Sequence, residues 1–85
     1  MLSAETQTIK DAIEQAFSPF RCAVEVSRYE VKLRFKVVDT DDQSIVEVSE
    51  LVVRQLRDKS YLASVISSAR DSVEEKGFSL APWKP

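Results

Sequence analysis

The chain has 85 residues and a formal net charge of −2, and apolar residues make up 44% of it. This length suits one domain, and the apolar content excludes an intrinsically disordered chain. The weak acidic balance argues against a protein that holds nucleic acid by bulk positive charge. The sequence has no histidine and a single cysteine, so it lacks the commonest general base and cannot form an intramolecular disulfide.

The N-terminal segment has the periodicity of an amphipathic helix. Its apolar side chains recur at helical spacing and form one stripe, which comprises Leu2, Ile9, Ala12, Ile13, Ala16 and Phe17. Ser3 is the predicted N-cap, because its hydroxyl can accept a hydrogen bond from a free backbone N–H of the first turn. Pro19 is expected to end the helix, since it disfavours the helical conformation at Ser18.

Alternation of apolar and polar residues follows, and it predicts a β-hairpin. The expected inward residues are Phe20, Cys22, Val24 and Val26 in the first strand and Val31, Leu33, Phe35 and Val37 in the second. A turn at Arg28-Tyr29 pairs Cys22 with Phe35 and makes every inward pair apolar. A four-residue loop that keeps this register is an alternative, because neither turn residue favours the positive φ of a tight turn.

The second half of the chain predicts one more strand and one more helix. Residues 39–44 form a polar loop, and the third strand runs from about Ile45 to Ser49. Residues 51–56 either continue the strand or make a helical turn, and a bend followed by a short turn is favoured. The last helix is predicted from about Ser60 to Lys76, and residues 78–85 form an irregular tail. The predicted buried stripe of this last helix comprises Leu62, Val65, Ile66, Ala69 and Val73.

The resulting order is α-β-β-β-α, with one apolar and one charged face on the sheet. This pattern predicts an α+β two-layer sandwich, in which both helices cover the apolar face of a three-stranded antiparallel meander. No internal repeat or linker divides the chain, so residues 1–85 are expected to form a single domain.

The passage from Ile13 to Cys22 (IEQAFSPFRC) resembles the opening of a family of short bacterial proteins, typical of pseudomonads, called the domain of unknown function 1652 family. The later spacing is also similar, over Val48, Leu56, Leu62, Val65, Ile66 and Arg70. The resemblance implies a glycine in the first hairpin turn and another after the third strand, where this chain has Arg28-Tyr29 and Glu50. The family has no assigned activity, so the resemblance implies the fold and a bacterial cytoplasmic origin, but no reaction.

The feature that most suggests a function is a basic row on the outer face of the predicted hairpin. It comprises Arg21, Lys32, Arg34 and Lys36, and Arg21 is expected to lie opposite Lys36. Alternate residues of one strand are about 7 Å apart, which is close to the spacing of successive phosphates. The row is interpreted either as a solvated face, partly neutralised by neighbouring glutamates, or as a binding face for a partner.

Three other features have weaker functional interpretations. Trp83 is expected either to cap the core or to anchor another protein from the tail. Cys22 is interpreted as a small buried hydrophobe, because no histidine can activate it as a nucleophile. Asp39, Asp41 and Asp42 suggest a calcium loop, but the glycine that such a loop requires at its sixth position is missing. No metal or cofactor is therefore expected.

These observations predict a non-catalytic binding or regulatory module of the cytoplasm that acts through protein–protein contacts. A homodimer is one form of that contact, because an open sheet has two free edges. Nucleic-acid binding through the basic row is the alternative function. No enzymatic activity and no membrane association are expected.

Overall fold

The computed structural model of the chain describes residues 2–84. Its regular elements are helix α1 (Ala4–Gln15), strands β1 (Arg21–Val26), β2 (Lys32–Val38) and β3 (Ser44–Val52), and helices α2 (Val53–Leu56) and α3 (Lys59–Glu75). The predicted α+β class and the α-β-β-β-α order are confirmed, with α2 as a short addition before the last helix. The tail is irregular through Lys84, as predicted, and Pro85 lies outside the described residues.

The sheet is an antiparallel meander in which β2 is central and β1 and β3 are the edges. Its inward side chains and the apolar stripes of α1 and α3 form one core, so both helices cover the same face. Among the most buried members are Ile13, Phe17, Leu33, Phe35, Val37, Ile66 and Val73. The inward residues of β2 are nearly inaccessible because the central strand is flanked by strands on both sides and covered by helices above.

Both long helices begin at side-chain caps. The Ser3 hydroxyl accepts a hydrogen bond from the backbone N–H of Thr6, as predicted for α1. The Asp58 carboxylate accepts hydrogen bonds from the backbone N–H groups that open α3. Gly77 follows α3 at a φ of 92°, a conformation that residues with a β-carbon rarely adopt.

The register of the hairpin differs from the prediction by two residues. Cys22 lies opposite Val37, and Phe35 lies opposite Val24, so the predicted pairing of Cys22 with Phe35 is wrong. The inward and outward faces are nevertheless as predicted, because a shift of two residues leaves every side chain on its own face. Val31 is the exception, since it falls in the turn and is 55% exposed.

The turn explains this shift. Four residues separate Ser27 from Lys32, and the Ser27 N–H donates to the Lys32 carbonyl at 2.8 Å. Inside the turn, Tyr29 and Glu30 adopt φ values of 66° and 56°. Hydrogen bonds compensate for this backbone cost: the Lys32 N–H donates to the Ser27 hydroxyl, and the Ser3 N–H donates to the Glu30 carboxylate. The four-residue turn is thus held by two hydrogen bonds to side chains, one within the turn and one to the start of the chain.

Strand β3 continues beyond its predicted end at Ser49 and leads directly into α2. A bulge interrupts its pairing with β2 near Glu50, which has a φ of 62°. The bulge restores the inward orientation of Leu51, which pairs with Leu33. The bend predicted over residues 51–56 is thus a strand end followed by one turn of helix.

Candidate functional site

The basic row lies on the outer face of the sheet, where the sequence places it, and its four members are exposed. The Arg34 guanidinium lies 2.6 Å from the carboxylate of Glu25, its cross-strand neighbour. The hydrogen bond to Glu25 and the negative charge of that carboxylate raise the pKa of Arg34. Arg34 is therefore one half of an ion pair.

The other basic residues also have acidic neighbours. The Lys32 ammonium lies 2.8 Å from the Glu50 carboxylate, and this contact lowers the pKa of Glu50. Arg21 pairs with Asp42 of the β2–β3 loop.

Lys36 lies opposite Glu47 in the β2–β3 pairing. Its predicted like-charge pairing with Arg21 is wrong, because Arg21 lies opposite Val38 and Lys36 lies opposite Ala23. The outer face is thus a mosaic of alternating charges and not a continuous positive stripe. A depression of about 110 Å³ beside Ala23 and Arg34 is small compared with ligand pockets, which usually exceed about 300 Å³.

A larger concave surface lies on the other side of the molecule, between α1 and α3. We call it the interhelical groove. Its volume is about 760 Å³, and its walls are mainly apolar. The apolar lining comprises Ile9, Ala12, Leu56, Leu62, Ala63, Ile66, Pro82 and Trp83. Small side chains keep the groove open, since Ala12 on α1 and Ala63 on α3 leave room that larger residues would fill.

The tail places Trp83 in the lining of this groove. The Ala81 N–H donates to the Ser18 carbonyl at 2.8 Å, which fixes the tail beside the α1–β1 connection. Arg70 of α3 donates to the carbonyls of Ala16 and Ala81, and its guanidinium carbon lies 5.6 Å from the centre of the Trp83 ring. Trp83 is half-buried: one part packs against the core, and another part lines the groove.

Cys22 faces the core from β1 and is buried. Burial, with a smaller contribution from the nearby Glu14 carboxylate, raises the pKa of its thiol to about 12. The group is therefore protonated at neutral pH, as expected of a small hydrophobe and not of a nucleophile.

The interhelical groove and the role of Arg70 were missed by sequence reasoning. Ala12 belongs to the predicted buried stripe of α1, and nothing in its spacing distinguishes a core position from a groove position. Arg70 acts through backbone carbonyls that lie far from it in sequence. The one usable signal is the isolated Trp83 in a proline-containing tail.

Within residues 2–84, no cluster of three or more histidine, cysteine, aspartate or glutamate side chains is arranged to hold a metal ion. None of the helices in this part of the chain has the length and apolarity needed to cross a bilayer. Comparison with protein-family models, with curated proteins and with solved structures found no match to this chain. The class that the fold defines is a small α+β domain with an open sheet and a groove between its helices.

Proposed function

We propose that this protein is a non-catalytic binding module that captures a segment of another protein in the interhelical groove. The observation that carries the proposal is the apolar groove itself, about 760 Å³ in volume, with Trp83 in its lining. Tryptophan side chains that are half-buried in clefts contribute strongly to protein–protein contacts. The hydrogen bonds of Arg70 hold the tail that carries this side chain, so the groove is formed before any partner arrives.

The proposed occupant is an amphipathic helix with acidic residues at its flanks. Two helices with a groove between them present a surface that a third helix fills with residues at i, i+3, i+4 and i+7. Lys59 and Lys84 line the groove, and neither forms an ion pair within the described residues. Arg57 also lines it but is already paired with Glu5 at 2.9 Å.

Titration with a designed peptide tests this proposal. The probe is an amphipathic helix with leucine and phenylalanine on one face and glutamates at both ends. Trp83 is the only tryptophan, so its fluorescence reports occupancy directly. We expect a saturable shift to shorter wavelength, because a docked helix excludes water from the exposed part of the indole ring.

Two variants of α3 make the test specific. Ala63→Glu introduces a charge into the groove and should weaken peptide binding by roughly tenfold or more. Ser64→Glu makes the same kind of change on the exposed neighbouring position and should leave binding unchanged. Equal binding by the two variants, or no fluorescence change with the original protein, contradicts the proposal.

The cellular setting is also proposed. The free, buried Cys22 supports a reducing compartment, and we propose the cytoplasm. A bacterial origin rests only on the resemblance of the Ile13–Cys22 passage to the domain of unknown function 1652 family. The nucleic-acid alternative remains a prediction, and the ion pairs of the outer face do not favour it.

A further inference from the structure

The two edges of the sheet differ in how they are protected against pairing with another strand. On the β3 edge, a bulge at Glu50 and a second irregularity between Val37 and Val38 of β2 break the regular ladder. The Lys76 ammonium also donates to the carbonyl of Ile45 in β3. Bulges and charged side chains of this kind are the usual means by which proteins block an edge.

Strand β1 has no bulge, and its two charged side chains, Arg21 and Glu25, lie on the outer face of the sheet. Its six residues contain no proline, and its pairing with β2 is regular throughout. The backbone hydrogen bonds that the described residues make outside the helices and the sheet do not involve Arg21–Val26. Val24 and Val26 are only half-buried, which leaves the side of this strand open to an incoming chain.

The register of the hairpin shows which backbone groups of β1 point away from β2, toward the free edge of the sheet. The Ser27 N–H donates to the Lys32 carbonyl, so this pair is directly hydrogen-bonded. Such pairs alternate in antiparallel ladders, which makes Glu25–Arg34 and Ala23–Lys36 the next hydrogen-bonded pairs. The N–H and C=O groups of the intervening residues therefore point away from β2, namely those of Cys22, Val24 and Val26.

We propose that β1 pairs antiparallel with β1 of a second copy of this chain, with the two Ala23 residues facing each other at the two-fold axis. In this register, Cys22 of each copy exchanges backbone hydrogen bonds with Val24 of the other. These bonds use the N–H and C=O groups that point away from β2. Arg21 then lies opposite Glu25 of the second copy, and the symmetry repeats this pair. The small side chain of Ala23 lets the two strands meet at the axis without a clash.

Charge complementarity selects this register. An axis at Val24 would place Arg21 opposite Ser27, and an axis at Cys22 would place Arg21 opposite Ala23. An axis at Glu25 or at Arg21 would bring like charges together. Only the axis at Ala23 pairs both charged residues of β1 with opposite charges. Both side chains are exposed, so the existing contacts to Arg34 and Asp42 can be shared or exchanged at small cost.

Charge reversal tests the proposal by sedimentation equilibrium. The original protein should dimerise, and Arg21→Glu and Glu25→Arg should each weaken dimerisation by roughly tenfold or more, because each places like charges opposite one another twice. A mixture of the two variants should form a one-to-one heterodimer, since the carboxylate introduced in one copy then faces the guanidinium introduced in the other. Lys36→Glu is the control: it makes an equal change of charge on the central strand and should leave the dimer intact.

A cysteine at the axis tests the register separately. Facing residues of a non-hydrogen-bonded pair have Cα atoms about 4.5 Å apart, which suits a disulfide. Ala23→Cys combined with Cys22→Ala should therefore give a covalent dimer on mild oxidation, whereas Lys36→Cys with Cys22→Ala should not. A protein that stays monomeric at the highest attainable concentration, or equal cross-linking of both cysteine variants, overturns the proposal. The groove variant Ala63→Glu should still dimerise, so this inference and the proposed function fail independently.

Discussion

Phe35 is the side chain on which the inner face of the sheet most depends. It occupies the middle of β2, is 1% exposed, and has its ring centre 5.6 Å from that of Phe17 in the core. Replacing it with alanine should lower the free energy of unfolding by about 3–5 kcal/mol, through lost burial and the cavity that remains. That loss is sufficient to unfold a domain of marginal stability. Urea denaturation monitored by far-UV circular dichroism measures the change.

Arg34 provides the matched control, since it neighbours Phe35 and points to the opposite face. Within the described residues, its side chain forms one ion pair, the exposed contact with Glu25, which contributes little in water. Arg34→Ala should therefore cost less than about 1 kcal/mol. If Arg34→Ala destabilised the protein more than Phe35→Ala, the two faces of the sheet would have been assigned the wrong way round.

At the scale of elements, the β1–β2 turn stores backbone strain at a residue whose side chain contributes no burial. Tyr29 has a φ of 66° and is 85% exposed, so its side chain offers little to offset the conformational cost. Tyr29→Gly should raise the free energy of unfolding by roughly 0.5–1 kcal/mol, because glycine adopts this φ without steric penalty.

Tyr29→Ala separates the backbone effect from the loss of the ring. Alanine keeps the steric cost of positive φ and removes the contact with Arg28, whose guanidinium carbon lies 6.0 Å from the ring centre. Thermal melts should therefore show stabilisation by glycine and none by alanine. Stabilisation by both substitutions would mean that the tyrosine ring, and not its backbone, is unfavourable.

The same turn shows which parts of the fold the sequence determines locally. The alternation in residues 20–37 gives the face of every strand residue, because side-chain direction has a period of two. It does not give the partner, since a shift of two residues conserves the faces. The observed register is accompanied by a hydrogen bond between the Ser3 N–H and the Glu30 carboxylate, which joins residues distant in sequence. Such contacts have no local signature.

The candidate site, like the sheet, was predictable from the sequence in part. The exposure of the basic row and the presence of glutamates beside it follow from alternation, whereas the partners of Arg21 and Lys32 are Asp42 in a loop and Glu50 at a bulge. The interhelical groove depends on the separation of α1 and α3 and on the path of the tail, and neither leaves a pattern in the sequence.

For the molecule as a whole, the distribution of charge bears on nucleic-acid binding. The net charge is −2, and Arg21, Lys32 and Arg34 each contact a carboxylate on the face where the phosphates would have to lie. A phosphate approaching any of them meets an adjacent negative charge, which offsets the attraction. We therefore expect no measurable binding to a random DNA duplex, even at low salt.

Fluorescence anisotropy with a labelled duplex tests this expectation, and acid-to-amide variants show its physical origin. Glu25→Gln with Glu50→Gln removes two of the opposing charges and keeps the size of the side chains. If neutralisation is what prevents binding, this double variant should bind the duplex weakly, and its affinity should fall as salt rises. The logarithm of the binding constant should fall with the logarithm of the salt concentration, with a slope of about −0.9 per phosphate contacted. Arg34→Ala added to it should reduce that slope. Salt-dependent binding by the original protein, lost on replacing Arg34, would instead show that the ion pairs open for phosphate and that the outer face is a nucleic-acid interface.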